Sequence, residues 1–161
     1  MSKNLAHLEQ VIGYKFQNLA LLERALTHRS WAYEKMPYGK DQEVRELQNE
    51  SFEFVGDAVL GMAVVEYLFQ KNPNATEGEL TMMKHRLVSS ECLAINALKL
   101  GIGTFIRIGR GEEKSGGKKK NALLANTLEA IIAAVFFDSG YISARAFVQR
   151  FLAEDFREIT P

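Results

Sequence analysis

The chain has 161 residues, of which 47% are hydrophobic and 25% charged, and equal numbers of basic and acidic side chains give a formal net charge of zero. This balance suits one domain with a substantial core and excludes a disordered chain. It carries no global basic signature, yet an acidic metal site would cancel basic patches in the sum, so nucleic-acid binding stays open. One cysteine, Cys92, excludes an intramolecular disulfide framework and fits a reducing compartment. The opening MSKNLAHLEQ lacks the apolar core of a signal peptide. The longest uninterrupted apolar stretch, Ala58 to Val65, is too short to span a bilayer. The expectation is a soluble cytoplasmic protein without a membrane partner.

Residues 3 to 12 read as a short helix, with Leu5, Leu8 and Val11 or Ile12 on one side. Asn18 is the predicted N-cap of a second helix, with Leu19, Leu22 and Leu26 at helical spacing; His28, Arg29 and Ser30 end it. The ordinary reading of His28 is a helix-end side chain bonded to a carbonyl. Pro37 and Gly39 mark a loop over residues 35 to 42. A long helix is predicted from about residue 43 to Gln70, stopped by Asn72, Pro73 and Asn74. Thr76 and Glu79 form a capping box for a helix reaching Lys99, with Gly101 as its stop. Residues 102 to 121 are the least helical, dense in glycine and in Arg107, Arg110, Lys114, Lys118, Lys119 and Lys120. A helix resumes at about Asn121 and runs to Ser139 or Gly140, and a last one covers Ile142 to about Phe156. No period-two pattern persists, and no repeat or interdomain linker is evident. The fold class is all-α.

Within NESFEFVGDAVL, residues 49 to 60, three acids stand at i, i+3 and i+7: Glu50, Glu53 and Asp57. At about 100° per residue they share an arc of roughly 60°. The arc continues through Leu60, Gly61, Val64 and Leu68, so the acids border the core rather than a solvated face. Half-buried carboxylates repel one another and lose hydration, and a divalent cation is the simplest compensation. A second polar pair, Asn126 and Glu129, stands at i, i+3 on a face that continues as Ala130, Ala133 and Phe137.

NESFEFVGDAVL resembles the signature of the ribonuclease III family, usually Asn-Glu-x-Leu-Glu-Phe-Leu-Gly-Asp-Ala. LTHRS, residues 26 to 30, is similar to a second short motif of that family. ALLANTLEAIIAAVFFDSGY resembles its Leu-Ala-Asp-x-x-Glu-Ala motif with the following apolar run and Asp-x-Gly. The motifs and the basic glycine loop stand in family order across essentially the whole chain.

The resemblance implies an all-helical, homodimeric endonuclease dependent on Mg²⁺, with Mn²⁺ able to substitute. Such enzymes cut both strands of double-stranded RNA, in ribosomal and other RNA processing, and leave 5′-phosphate and 3′-hydroxyl ends with short 3′ overhangs. It also implies residue roles. Glu53, Asp57, Asn126 and Glu129 match metal-binding positions, Asp57 and Glu129 being the catalytic pair. Glu50 and Glu77 match outer acids linked to metal or water networks. Phe54 matches an aromatic that inserts into a second copy. The chemistry suits the residue types, because Mg²⁺ prefers hard oxygen ligands and activates water for phosphodiester hydrolysis.

Each has a plainer alternative. Glu77 follows the cap Thr76, where a carboxylate complements the helix dipole. Glu50 has mere solvation as its alternative, and Phe54 is expected, like most phenylalanines, to be a core aromatic. The basic loop reads as a phosphate-binding surface or as a solvated charge run. The family usually has aspartate at position 126; an Asn carbonyl still ligates Mg²⁺ but brings no charge. That departure keeps open a non-cleaving RNA-binding or ribosome-associated member of the same fold. A helical interaction domain with an incidental acid patch is a third reading. Family members typically continue into a double-stranded-RNA-binding domain. Residues 1 to 161 read as the catalytic domain without it, ending about where a linker would start.

Overall fold

The computed structural model describes residues 4–161. The elements are α1 (Leu5–Ile12), α2 (Leu19–Ala25), α3 (Arg29–Lys35), α4 (Asp41–Leu47), α5 (Glu50–Lys71), α6 (Glu77–Leu87), α7 (Ser90–Lys99), α8 (Arg110–Lys114), α9 (Asn121–Ser139), α10 (Tyr141–Phe151) and α11 (Ala153–Glu158). Short 3-10 turns cover Ile102–Phe105 and Gly117–Lys119. Among the described residues the chain is helical without strands, as its periodicity predicts; one isolated bridge joins Thr27 and Arg107. Lys3, the first residue of the predicted opening helix, lies outside the described residues.

The core is built around α9. From Leu123 to Val135 its side chains are buried except for Asn126, and the helix packs against α5, α7, α10 and α2. A helix apolar all round must be enclosed. Its length and composition would also let it cross a bilayer, which the search for an uninterrupted apolar run overlooked. Here neighbouring helices, rather than lipid, cover it.

Gly56 sets the closest approach of α5 to α9. A Cβ there would run into the backbone of Glu129, at its carbonyl oxygen. Only glycine lets the two backbones meet this closely.

Three predicted helices are broken in the structure. The long signature helix divides at Gln48 and Asn49, both buried. Gln48 Oε1 accepts from the Glu50 amide, and Asn49 Nδ2 donates to the Ala25 carbonyl at 2.8 Å. The Asn49 amide donates to Thr27 O at 3.0 Å, pinning the start of α5 to the end of α2. The predicted 76–99 helix divides at Val88 and Ser89, where Ser89 caps α7 by accepting from the Cys92 amide. The last helix divides at Leu152. Side chains that bond local backbone compete with helix continuation, and they break it without glycine or proline.

His28 was read as ending α2, but it starts α3. Its Nδ1 accepts from the Ser30 amide, as an N-cap. The Asn18 cap, the Thr76–Glu79 capping box and the stop at Gly101, with φ of 67°, are present as predicted.

Candidate metal centre and nucleic-acid groove

Two helices supply the acids. α5 carries Glu50, Glu53 and Asp57; α9 carries Asn126 and Glu129. The Gly56 contact brings the two sets together. All five line one cavity of about 630 Å³, with Phe54, Val88, Ser90 and Ala125 completing its wall. Val88 and Ser90 reach it because the chain breaks between α6 and α7.

Glu129 is buried, with 9% exposure. Burial first, then the Asp57 and Glu53 charges, push its carboxyl up to about 8. Glu53 is raised as well, by burial and then by Glu50 and Asp57. Glu129 therefore holds a proton at neutral pH unless a cation replaces it. The Asn126 amide, turned to satisfy its neighbours, donates to Glu53 Oε1 and to the Ala122 carbonyl, each at 3.2 Å. An aspartate at 126 would instead repel Glu53.

The donor chemistry fits a hard divalent cation: three carboxylates and an amide carbonyl, all oxygen. Among the described residues no three carboxylates are drawn onto a single coordination point.

Glu50 is half-exposed and pairs with Arg29 at 3.4 Å. Glu77 does not join this cavity. It sits in the first turn of α6, beside a separate hollow lined by Val65, Leu68, Phe69, Leu80, Thr81 and Lys84.

A second lobe of about 420 Å³ shares Glu50, Glu53 and Asn126 with the first and adds His28, Arg29, Glu112 and Lys120. The glycine loop is thus part of the groove, but it is not an open comb of lysines. Lys120 pairs with Glu112 at 3.0 Å, Lys118 with Glu113 at 3.6 Å and Arg107 with Glu23 at 3.8 Å. Arg110, Lys114 and Lys119 make no ion pair among the described residues.

Phe54 is 80% exposed, so its reading as a core aromatic is corrected. With Ala58, Met62, Val65 and Phe69 it forms an exposed apolar stripe along α5. Sequence reasoning gave no role to Asn49, Gly56 or Arg24. Arg24 donates to the Gln48 and Arg45 carbonyls and lies 4.6 Å over the Phe52 ring, holding the head of α5 in place. The small residue between two acids was the one available signal for Gly56.

A family model described as Ribonuclease-III-like matches residues 18–156. The chain belongs to the ribonuclease III family. It is 43% identical over 148 residues to Ribonuclease 3 of Syntrophotalea carbinolica, covering 92% of this chain and 61% of that protein. With Ribonuclease 3 of Nitratidesulfovibrio vulgaris the figures are 44% over 156 residues, 97% and 59%. The chain therefore spans about three fifths of the length of these ribonuclease III relatives. It is similar end to end to the nuclease domain of ribonuclease III from Campylobacter jejuni, with a TM-score of 0.84 and 37% identity over 96% of this chain and 99% of that one. That structure is described as showing flexibility in a region involved in dimer formation.

Proposed function

We propose that residues 1–161 are the catalytic domain of a cytoplasmic endoribonuclease that uses Mg²⁺, or Mn²⁺, to cut both strands of double-stranded RNA. Its products carry 5′-phosphate and 3′-hydroxyl ends with short 3′ overhangs, as in ribosomal RNA processing. The observation that carries this reading is the placement of Glu53, Asp57, Asn126 and Glu129 on two helices locked together at Gly56.

Those four side chains would hold the cation, with Glu50 alongside. Bound Mg²⁺ polarises water and stabilises charge on the leaving 3′ oxygen. Glu129 holds a proton near neutrality and releases it when a cation supplies the compensating charge. Lys120 lines the groove, and Lys114, Lys118, Lys119, Arg107 and Arg110 would add cations for the RNA from the same loop segment. RNA phosphates would exchange with the exposed carboxylates now paired to Lys118 and Lys120, since such surface pairs contribute about 1 kcal/mol or less. Glu77 lies outside the cavity of its own chain, so any part it has in cutting depends on a second copy.

The stripe from Phe54 to Phe69 supports a homodimer. An aromatic this exposed needs a cover, and the hollow beside Phe69 and Leu80, about 280 Å³, offers a place for a partner's side chain. Two copies would set two acidic cavities on one duplex, one per strand.

Asn126 favours the second reading, a member that binds RNA without cutting it. Cleavage of long double-stranded RNA with Mg²⁺, with Mn²⁺ and with chelator separates the two, run beside Asn126→Asp. Metal-dependent cutting by the chain itself establishes the nuclease. Cutting by the variant alone means the cavity is right and the missing charge is needed. Binding without cutting by either form establishes the non-cleaving reading.

A further inference from the structure

The LTHRS segment has so far only a capping role, yet its histidine lines the groove. His28 faces the lobe that joins the acid cavity, with Arg29, Glu50, Glu112 and Lys120 as its charged neighbours on α3, α5, α8 and the approach to α9.

The hydrogen bonds around the ring fix its tautomer. The Gly109 amide donates to Ser30 Oγ at 2.8 Å, and the hydroxyl keeps its own proton to give. Ser30 Oγ lies 2.7 Å from His28 Nδ1. The Ser30 amide also donates to Nδ1, at 3.2 Å. A backbone N–H cannot accept, so Nδ1 must be the bare nitrogen. The ring proton is then on Nε2, which has no protein partner among the described residues. Protonating Nδ1 would break the bond from the Ser30 amide. Burial also lowers the affinity of His28 for a second proton.

We propose that His28 is a substrate-binding residue whose Nε2–H donates to a phosphate oxygen of the RNA strand, in a subsite walled by Arg29 and Lys120 beside the metal cavity. The inference rests on the nuclease reading above. Arg29 and Lys120 offer cations there: Arg29 is held by an exposed ion pair to Glu50, and Lys120 by half-buried Glu112 and by Ser115 Oγ, partners that a phosphate can replace. A neutral donor of fixed direction adds orientation to their charge. A-form RNA is recognised through phosphates and 2′-hydroxyls rather than base edges, and this lobe carries donors suited to them. Ser30 is the positioning residue. Through Gly109 it ties the tautomer to the glycine loop, so loop and donor move together.

Two substitutions separate the ring's nitrogens. His28→Asn keeps a cap acceptor at the place of Nδ1 but does not reach Nε2. His28→Gln reaches Nε2 but loses the cap. The readouts are Tm, steady-state cleavage of a defined hairpin RNA in Mg²⁺, and binding of the same RNA in Ca²⁺ followed by anisotropy. The expected result is an unchanged Tm for His28→Asn with kcat/KM lower by about tenfold, mostly in KM, the size of one lost hydrogen bond. His28→Gln should melt lower yet retain more kcat/KM than His28→Asn. The proposal is overturned if His28→Asn cuts and binds like the parent, or if His28→Gln is the worse enzyme of the two. If the parent neither binds nor cuts RNA, the nuclease reading falls and takes this subsite with it. A parent that cuts beside an unimpaired His28→Asn defeats the subsite alone.

Discussion

Glu129 makes the metal-free domain sensitive to alkali, and Glu129→Gln should remove that sensitivity. The Glu129 carboxyl, ordinarily near 4.5, is pushed up to about 8 by burial and by Asp57 and Glu53. In the unfolded chain it ionises near its ordinary value. Between those limits the folded state holds more protons than the unfolded one, so stability is full at low pH and is lost as pH rises towards 8. At about 1.4 kcal/mol for each tenfold change in proton affinity, the whole interval is worth at most about 5 kcal/mol. The Glu129 titration is coupled to the charges beside it, so a measured loss of about 2 to 3 kcal/mol between pH 5 and 8 is the expected scale. His28, held below its ordinary value by burial, acts in the opposite sense on the acid side, so parent and variant are compared at each pH. Urea denaturation in chelator, followed by circular dichroism from pH 5 to 8.5, measures the effect. The parent should weaken steadily while Glu129→Gln stays nearly flat and exceeds the parent at pH 8. Mg²⁺ should restore the parent at pH 8. Equal pH slopes for the two proteins would refute the account of Glu129 as a desolvated acid.

Three further outcomes are expected. Gly56→Ala should lower stability by about 3 kcal/mol in urea denaturation, because its methyl meets the Glu129 backbone rather than a movable side chain; a variant as stable as the parent would show that α5 and α9 can part without cost. Asn126→Asp should tighten Mg²⁺ binding about tenfold by calorimetry while weakening the metal-free fold at pH 8, since it sets a fourth carboxylate beside Glu53; equal affinities would mean that charge at this position does not govern binding. Phe54→Ala should raise the dimer dissociation constant at least about 30-fold in sedimentation equilibrium, the scale of one buried aromatic anchor, and a parent that is monomeric at micromolar concentration would end the dimer reading.

Helix class was legible wherever an element showed an apolar stripe or a cap, as with Asn18 and the Thr76–Glu79 box, but helix number and the breaks were not. Asn49 begins α5 through bonds to Ala25 and Thr27 that only the folded chain brings near, while Gln48 and Ser89 act through local bonds, to the Glu50 and Cys92 amides, inside apolar patterns that read as continuous helix. The acids on α5 and α9 were readable because they interrupt apolar faces. Glu77 was placed with them by resemblance, and the fold puts it on another surface of the chain. The loop lysines looked equivalent in sequence. Folding separates Lys118 and Lys120, held by acids on α8, from Lys114 and Lys119. The Ser30 hydroxyl beside His28 is held by Gly109, 79 residues away, which the bridge at Thr27 and Arg107 and the Arg110–Glu34 bond bring near.

The glycine contact between α5 and α9 also separates assembly from loading. The relative position of the two helices is set by backbone against backbone, so it exists before any ion arrives. A cation bound there would have to turn side chains rather than move helices. Replacing a donor therefore alters which ion is held, and how tightly, without rebuilding the frame that holds it.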